Sequence, residues 1–229
     1  MKKLISSLLL IALLATPGQA FEFKRIIGLL SSSYSSRWPD PVTYGWDSRS
    51  SLNPFKEGRV SYFGGIGLEF SLRPKLELEL DALYKETGSA FSLETMLFTS
   101  YKYEYRISEI SIPLLVKYHF LKSPRPYVLA GFDYSFILSH RCQIFEAPEA
   151  SQVYRETIEA DLDLETRKSD LALILGLGFE LQLNKRSIGF ELRYEPGLLN
   201  LYKGWRPPDE PYPVVRSRQF LVVLSYSIK

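Results

Sequence analysis

The sequence predicts an all-β protein: an eight-stranded antiparallel up-and-down transmembrane β-barrel with short periplasmic turns and long extracellular loops. Three observations carry this. Leu171 to Leu183 puts a large apolar side chain at every second position and small or polar ones between, the period of a strand with unlike faces. The chain starts with an export signal. Its long polar connections alternate with short turns, as in a membrane barrel.

Residues 1–20 carry Lys2 and Lys3, an apolar run from Leu4 to Leu14, and a small-residue end at Ala20. This is the pattern of a cleaved signal peptide, and the run is short for a spanning helix. The mature barrel domain is then 21–229. The whole chain of 229 residues has a formal charge of +2 and a mean hydropathy of -0.08. Alternating strands average out to such a value, and no bulk basicity points to nucleic acid. A single cysteine, Cys142, rules out an intramolecular disulfide.

Eight segments read as strands. Phe21–Ser33 alternates poorly. Arg59–Leu72 sets Val60, Tyr62, Ile66, Leu68 and Phe70 against Ser61, Phe63, Gly65, Gly67 and Glu69. Arg73-Pro74 turns tightly into Lys75–Lys85, where Leu76, Leu78 and Leu80 oppose Glu77, Glu79 and Asp81. The fourth segment runs from Tyr105 to Phe120, with Ile110, Ile112, Leu114, Val116 and Tyr118 opposite Ser111, Pro113, Lys117 and His119. Pro113 cannot donate to a ladder, so a local bulge is expected there. Tyr127–Ser139, Leu171–Leu183, Ser187–Glu195 and Arg218–Lys229 complete the set. Long polar connections are expected over Tyr34–Gly58, Glu86–Glu104, His140–Ser169 and Pro196–Ser217. Tyr62, Tyr84, Tyr134 and Tyr194 fall at the outer ends of the apolar face. Phe70, Tyr118, Phe120, Phe179 and Tyr226 fall at the periplasmic ends. Two such bands match the two membrane interfaces.

An eight-stranded bore is filled by side chains. The inward phase carries Glu69, Glu77, Glu79, Asp81, Lys117, Glu180, Glu191, Arg193 and Glu195, together with Lys75 and His119. Charges in so narrow an interior must be paired, so a lumenal charge network is expected rather than an open pore. No catalytic set, cofactor site or metal site stands out. His140-Arg141-Cys142 with Glu146 nearby is the arrangement a reactive thiol would need, although such a cysteine is more often incidental. The loops offer Trp38, Trp46, Tyr202, Trp205 and Arg206 as contact residues, or as anchors at lipid headgroups. The acidic third connection, with Glu156, Glu159, Asp161, Asp163 and Glu165, lacks calcium-loop spacing and reads as a solvated face.

Ile110-Ser111-Ile112-Pro113-Leu114-Leu115-Val116-Lys117-Tyr118 resembles the EIPLLLKY strand of the PorT-like outer-membrane β-barrel proteins common in Bacteroidota. Pro126-Tyr127-Val128-Leu129-Ala130-Gly131 resembles the strand after it. Phe190-Glu191-Leu192-Arg193-Tyr194 with Gly197-Leu198-Leu199-Asn200 resembles a third segment. The likeness covers the second to eighth strands. It implies an eight-stranded barrel and makes Pro113 a family trait. The name-giving member is associated with assembly of a protein secretion system, and others are labelled porin family. The expectation is a Gram-negative outer-membrane barrel with a plugged interior and a structural or binding role. Its loops would meet outer-membrane lipid, lipopolysaccharide or a protein partner, with no cofactor. A lipid-modifying enzyme and a narrow channel or secretion-assembly factor are the alternatives.

Overall fold

The computed structural model describes residues 21–37, 57–94, 99–121, 124–148, 155–183, 186–204 and 214–228. The expected signal peptide, residues 1–20, lies outside them, as do Trp38, Trp46, Trp205 and Arg206. Nine strands run in chain order: β1 (Phe21–Arg37), β2 (Glu57–Arg73), β3 (Leu76–Glu94), β4 (Thr99–His119), β5 (Arg125–Pro148), β6 (Arg155–Asp161), β7 (Ser169–Leu183), β8 (Arg186–Pro196) and β9 (Val214–Ile228).

Every pairing is antiparallel. β1 pairs with both β2 and β9, and β4 pairs with both β3 and β5. The order β1-β2-β3-β4-β5-β7-β8-β9 returns to β1, so eight strands close a ring. Closure leaves the eight ring strands without a free edge along the span they share. β6 is outside the ring and pairs only with the far end of β5, over Arg141–Glu146.

Alternation in sequence becomes alternation in burial. In β7, Leu175, Leu177, Phe179, Leu181 and Leu183 are exposed on the outer face, while Ala172, Ile174, Gly178 and Glu180 are buried in the bore. An apolar exterior around a closed ring suits hydrocarbon rather than water. No helix among the described residues is long and apolar enough to cross a membrane. Tyr62, Tyr84 and Tyr134 are exposed on the outer face; Tyr134 meets Phe136 edge-on at 4.9 Å and Tyr194 lies against Phe220 at 4.6 Å between ring centroids. Toward the short turns, Tyr118 meets Phe120 at 5.4 Å and Phe179 meets Phe190 at 5.6 Å. Given strand rise and barrel tilt, the two bands are about 20–25 Å apart, the height of an apolar belt.

Several expectations need correction. The connection Glu86–Glu104 is mostly ladder: β3 runs to Glu94 and β4 starts at Thr99. The third connection contains the end of β5 and all of β6. Seven of the eight ring strands, at 15–24 residues, outrun the ~10 needed to span a bilayer, so the barrel wall continues past it on the long-loop side except at β8, which has 11. Pro113 makes no bulge. It keeps register opposite Asp133, and only its ladder with β3 skips a step. The irregularity in β4–β5 lies between Ser108 and Glu109, which face Ser139 and Ile137 and leave Leu138 as the extra residue. Lys75 is not inward: Arg73 pairs with Leu76, so Lys75 sits exposed in the turn.

Candidate functional site

The interior is stacked in storeys: two charged ones toward the short turns, then apolar groups, then a further charged one. Nearest the short turns, His119 Nε2 lies 2.6 Å from Glu77, and Arg125 reaches both Glu77 (2.8 Å) and Glu180 (3.3 Å). Above this, Lys117 lies 2.6 Å from Glu79 and 2.5 Å from Glu191. Arg193 contacts Glu79 and Asp81 at 3.1 Å and Glu191 at 2.6 Å. Lys24 binds Glu69 and, at 2.9 Å, Glu79. The Tyr127 hydroxyl donates to Glu191 at 2.7 Å, and its ring lies under the Lys117 ammonium at 4.8 Å. These side chains come from β1, β2, β3, β4, β5 and β8, so the bore is bridged from wall to wall.

Two apolar groups follow: Ile26, Leu30, Phe63, Leu83, Leu221 and Val223 on one side, and Leu115, Leu129 and Ile174 with Tyr127 on the other. Beyond them a third charged storey joins Lys85 to Asp133 (2.8 Å) and Glu195 (2.6 Å), with Ser111 donating to Asp133 at 2.5 Å. Gly178 makes room for this filling: a Cβ there would stand 2.8 Å from the Tyr127 ring.

The nine residues of the expected charge network are buried, and His119 with them, while Lys75, also expected inward, is exposed in the turn. Six of the nine, Glu69, Glu79, Asp81, Lys117, Glu191 and Arg193, form one cluster. Glu77 and Glu180 belong to the storey below, and Glu195 to the one above. Lys24, Lys85, Asp133 and Arg125 complete the network and were not foreseen. Lys85 and Asp133 share inward parity with Leu83 and Leu129, so extending the alternation by a residue pair finds them. Lys24 has no such signal, because both faces of β1 are apolar.

The open end has a different character. Tyr34, Ile107, Ile137 and Leu201 form a third buried apolar group. Beside it is a cavity of about 160 Å³ lined by Tyr34, Tyr105, Ile107, Leu201, Tyr202 and Val215, with His140, Leu162, Glu165 and Thr166. Tyr202, expected as an exposed contact, is half-buried and bridged to Thr166. The extra residue at Leu138 shifts the phase of β5, so His140 and Cys142 turn inward opposite Ile107 and Tyr105. Burial pushes the Cys142 thiol up, the opposite of a reactive thiolate. Burial also holds the His140 imidazole down at about 4 against the pull of Asp163 and Asp161, so it is neutral at neutral pH. Among the described residues, no group of three or more His, Cys, Asp or Glu could hold a metal ion.

The family model for the outer membrane protein beta-barrel domain matches residues 26–203, well over half of the chain. The chain belongs to this family. It is accordingly a β-barrel of the Gram-negative outer membrane, with its short turns on the periplasmic side and its long-loop end outside the cell. No curated protein matches it in sequence. Among solved structures it is similar to outer membrane protein OprG from Pseudomonas aeruginosa (15% identity, TM-score 0.49, covering 92% of this chain and 97% of that one). It is also similar to neisserial surface protein A (10%, 0.47, 93% and 99%) and to the outer membrane protease OmpT from Escherichia coli (9%, 0.45, 91% and 98%). The likeness is one of architecture.

Proposed function

We propose that this protein is a non-conducting barrel that reaches the outer membrane by signal-peptide-directed export and works as a binding module at its cell-surface end. The observation that carries this reading is the wall-to-wall cluster of Lys24, Glu69, Glu79, Asp81, Lys117, Glu191 and Arg193, which fills the bore at the level of the membrane. Each cation in it has two or more carboxylate partners. Opening a path would strand buried charge, which costs several kcal/mol per ion. Function is thereby left to the outer end, among lipopolysaccharide and whatever meets the cell surface.

The histidines favour binding over catalysis. His119 is tied to Glu77 at the periplasmic end, away from outer-leaflet lipid. Thr166 donates its hydroxyl proton to the Leu162 carbonyl at 2.9 Å, so it accepts from His140 Nδ1 at 2.5 Å. His140 is thus a donor to Thr166 and not its base, and the pair is no nucleophile–base couple. The PorT-like resemblance of β4 is consistent with a structural or assembly role for the same outer surface.

Liposomes carrying the folded protein test this reading. They should not swell in isosmotic solutions of a small sugar or amino acid, and lipid A from cells with and without the protein should give the same mass spectrum. Swelling at rates typical of a porin would replace the reading with a channel. A changed lipid A would replace it with an enzyme.

A further inference from the structure

We propose that the cavity at the outer mouth binds a neutral single-ring aromatic alcohol, a molecule of the phenol class, whose hydroxyl donates a hydrogen bond to His140 Nε2. This deepens the binding reading above and rests on it. Size comes first. The cavity measures about 160 Å³, and an apolar cavity of about 150 Å³ accepts benzene. The walls come next. Tyr34, Tyr105, Ile107, Leu201, Tyr202 and Val215 offer ring faces and aliphatic edges, which suit an aromatic guest.

The polar content then fixes the donor. The Tyr34 hydroxyl is engaged with Thr87 at 3.0 Å, and Tyr105 is hydrogen-bonded to Cys142. Thr166 is used twice, by His140 Nδ1 and by the Leu162 carbonyl. The proton on Nδ1 makes Nε2 a lone-pair acceptor. Nε2 is buried and has no hydrogen-bond partner among the described residues. A buried acceptor of this kind costs about 1–3 kcal/mol unless a donor meets it. A guest bearing one hydroxyl supplies that donor, while a pure hydrocarbon does not. Glu165 on the lining and Asp161 beside His140 are carboxylates at the mouth, with Asp163 paired to Lys168 at 3.3 Å, and they disfavour an anionic guest relative to a neutral one.

The test uses the full mature chain folded in detergent micelles and the 15N resonances of His140, assigned by their loss in His140→Phe. Phenol should move the Nε2 resonance saturably. Toluene, the same size without the hydroxyl, should bind about tenfold or more weakly. Benzoate should leave the resonance in place. In His140→Phe, where the ring-proton resonances of Tyr105 on the cavity wall report occupancy instead, phenol and toluene should bind within about twofold of each other. Leu201→Trp should fill the cavity and abolish both, with the His119 resonance and heat-modifiable gel mobility unchanged as proof of folding. An Nε2 resonance indifferent to phenol, equal binding of toluene to the unmodified protein, or a phenol response that survives Leu201→Trp would each overturn the proposal. Swelling of liposomes would instead overturn the non-conducting reading, whatever the histidine reports.

Discussion

Lys117 stands between Glu79 and Glu191 at 2.6 and 2.5 Å with its ammonium over the Tyr127 ring, and it is 1% exposed. Removing one partner from such a cluster is worse than removing all of it, because carboxylates are left buried without compensation. Lys117→Ala is therefore expected to lower stability by about 3–5 kcal/mol, read as an earlier midpoint in urea unfolding from detergent. At the outer mouth, His140 supplies a pH signature. Facing it are Asp163, whose carboxylate accepts from the His140 backbone N–H at 2.6 Å, Thr166, Asp161, Glu165 on the cavity wall, and Tyr105 with Cys142 across the ladder. Burial holds the imidazole at about 4, below its ordinary 6.5, so the unfolded chain takes up a proton first as the pH falls. The stabilisation is complete above about 6.5 and lost progressively toward about 4, amounting to about 3 kcal/mol. Proton NMR titration should show His140 still neutral at pH 5, where a solvent-exposed histidine is charged.

At the scale of elements, the bulge between β4 and β5 determines what the mouth presents. Leu138 is the unpaired extra residue, and it sets the inward phase at His140 and Cys142. Deleting Leu138 should restore a regular ladder in which Ser139 still faces Ser108 and His140 still faces Ile107, so the imidazole stays inward. The barrel should then keep its heat-modifiable mobility and the imidazole should still titrate well below its ordinary 6.5, an outcome NMR reads directly; a histidine titrating at its ordinary value would contradict this pairing. Nothing in the sequence announces this bulge, since Phe136-Ile137-Leu138 is apolar at every position and either phase satisfies the pattern. The same ambiguity hid Lys24: Ile26 and Leu30 face in while Phe23, Ile27 and Leu29 face out, so β1 shows no contrast between its faces. β7 was legible because its inner face is small or polar and its outer face is leucine. Polar residues in the Glu86–Glu104 connection suggested a loop. Its inward positions Thr87 and Ser89 are buried but polar, so the ladder there carries no apolar period to mark it as a strand.

For the whole molecule, the ring follows from sequence through the alternation of long and short connections, and the filling follows from the width of eight strands. The vertical order of the filling does not follow, because a long side chain joins the storey it reaches rather than the rung it starts from. Glu77 sits directly opposite Lys117 in the ladder, yet it meets His119 and Arg125 while Lys117 reaches Glu79 and Glu191. The resulting division places paired charge across the membrane and an apolar cavity with one unsatisfied acceptor at the cell surface. Single-channel recording across a planar bilayer tests the central claim most directly. The folded protein is predicted to give no steady conductance at moderate voltage, because the Lys24–Glu79–Lys117–Glu191–Arg193 cluster closes the bore. Steady ohmic steps from the intact barrel would contradict it.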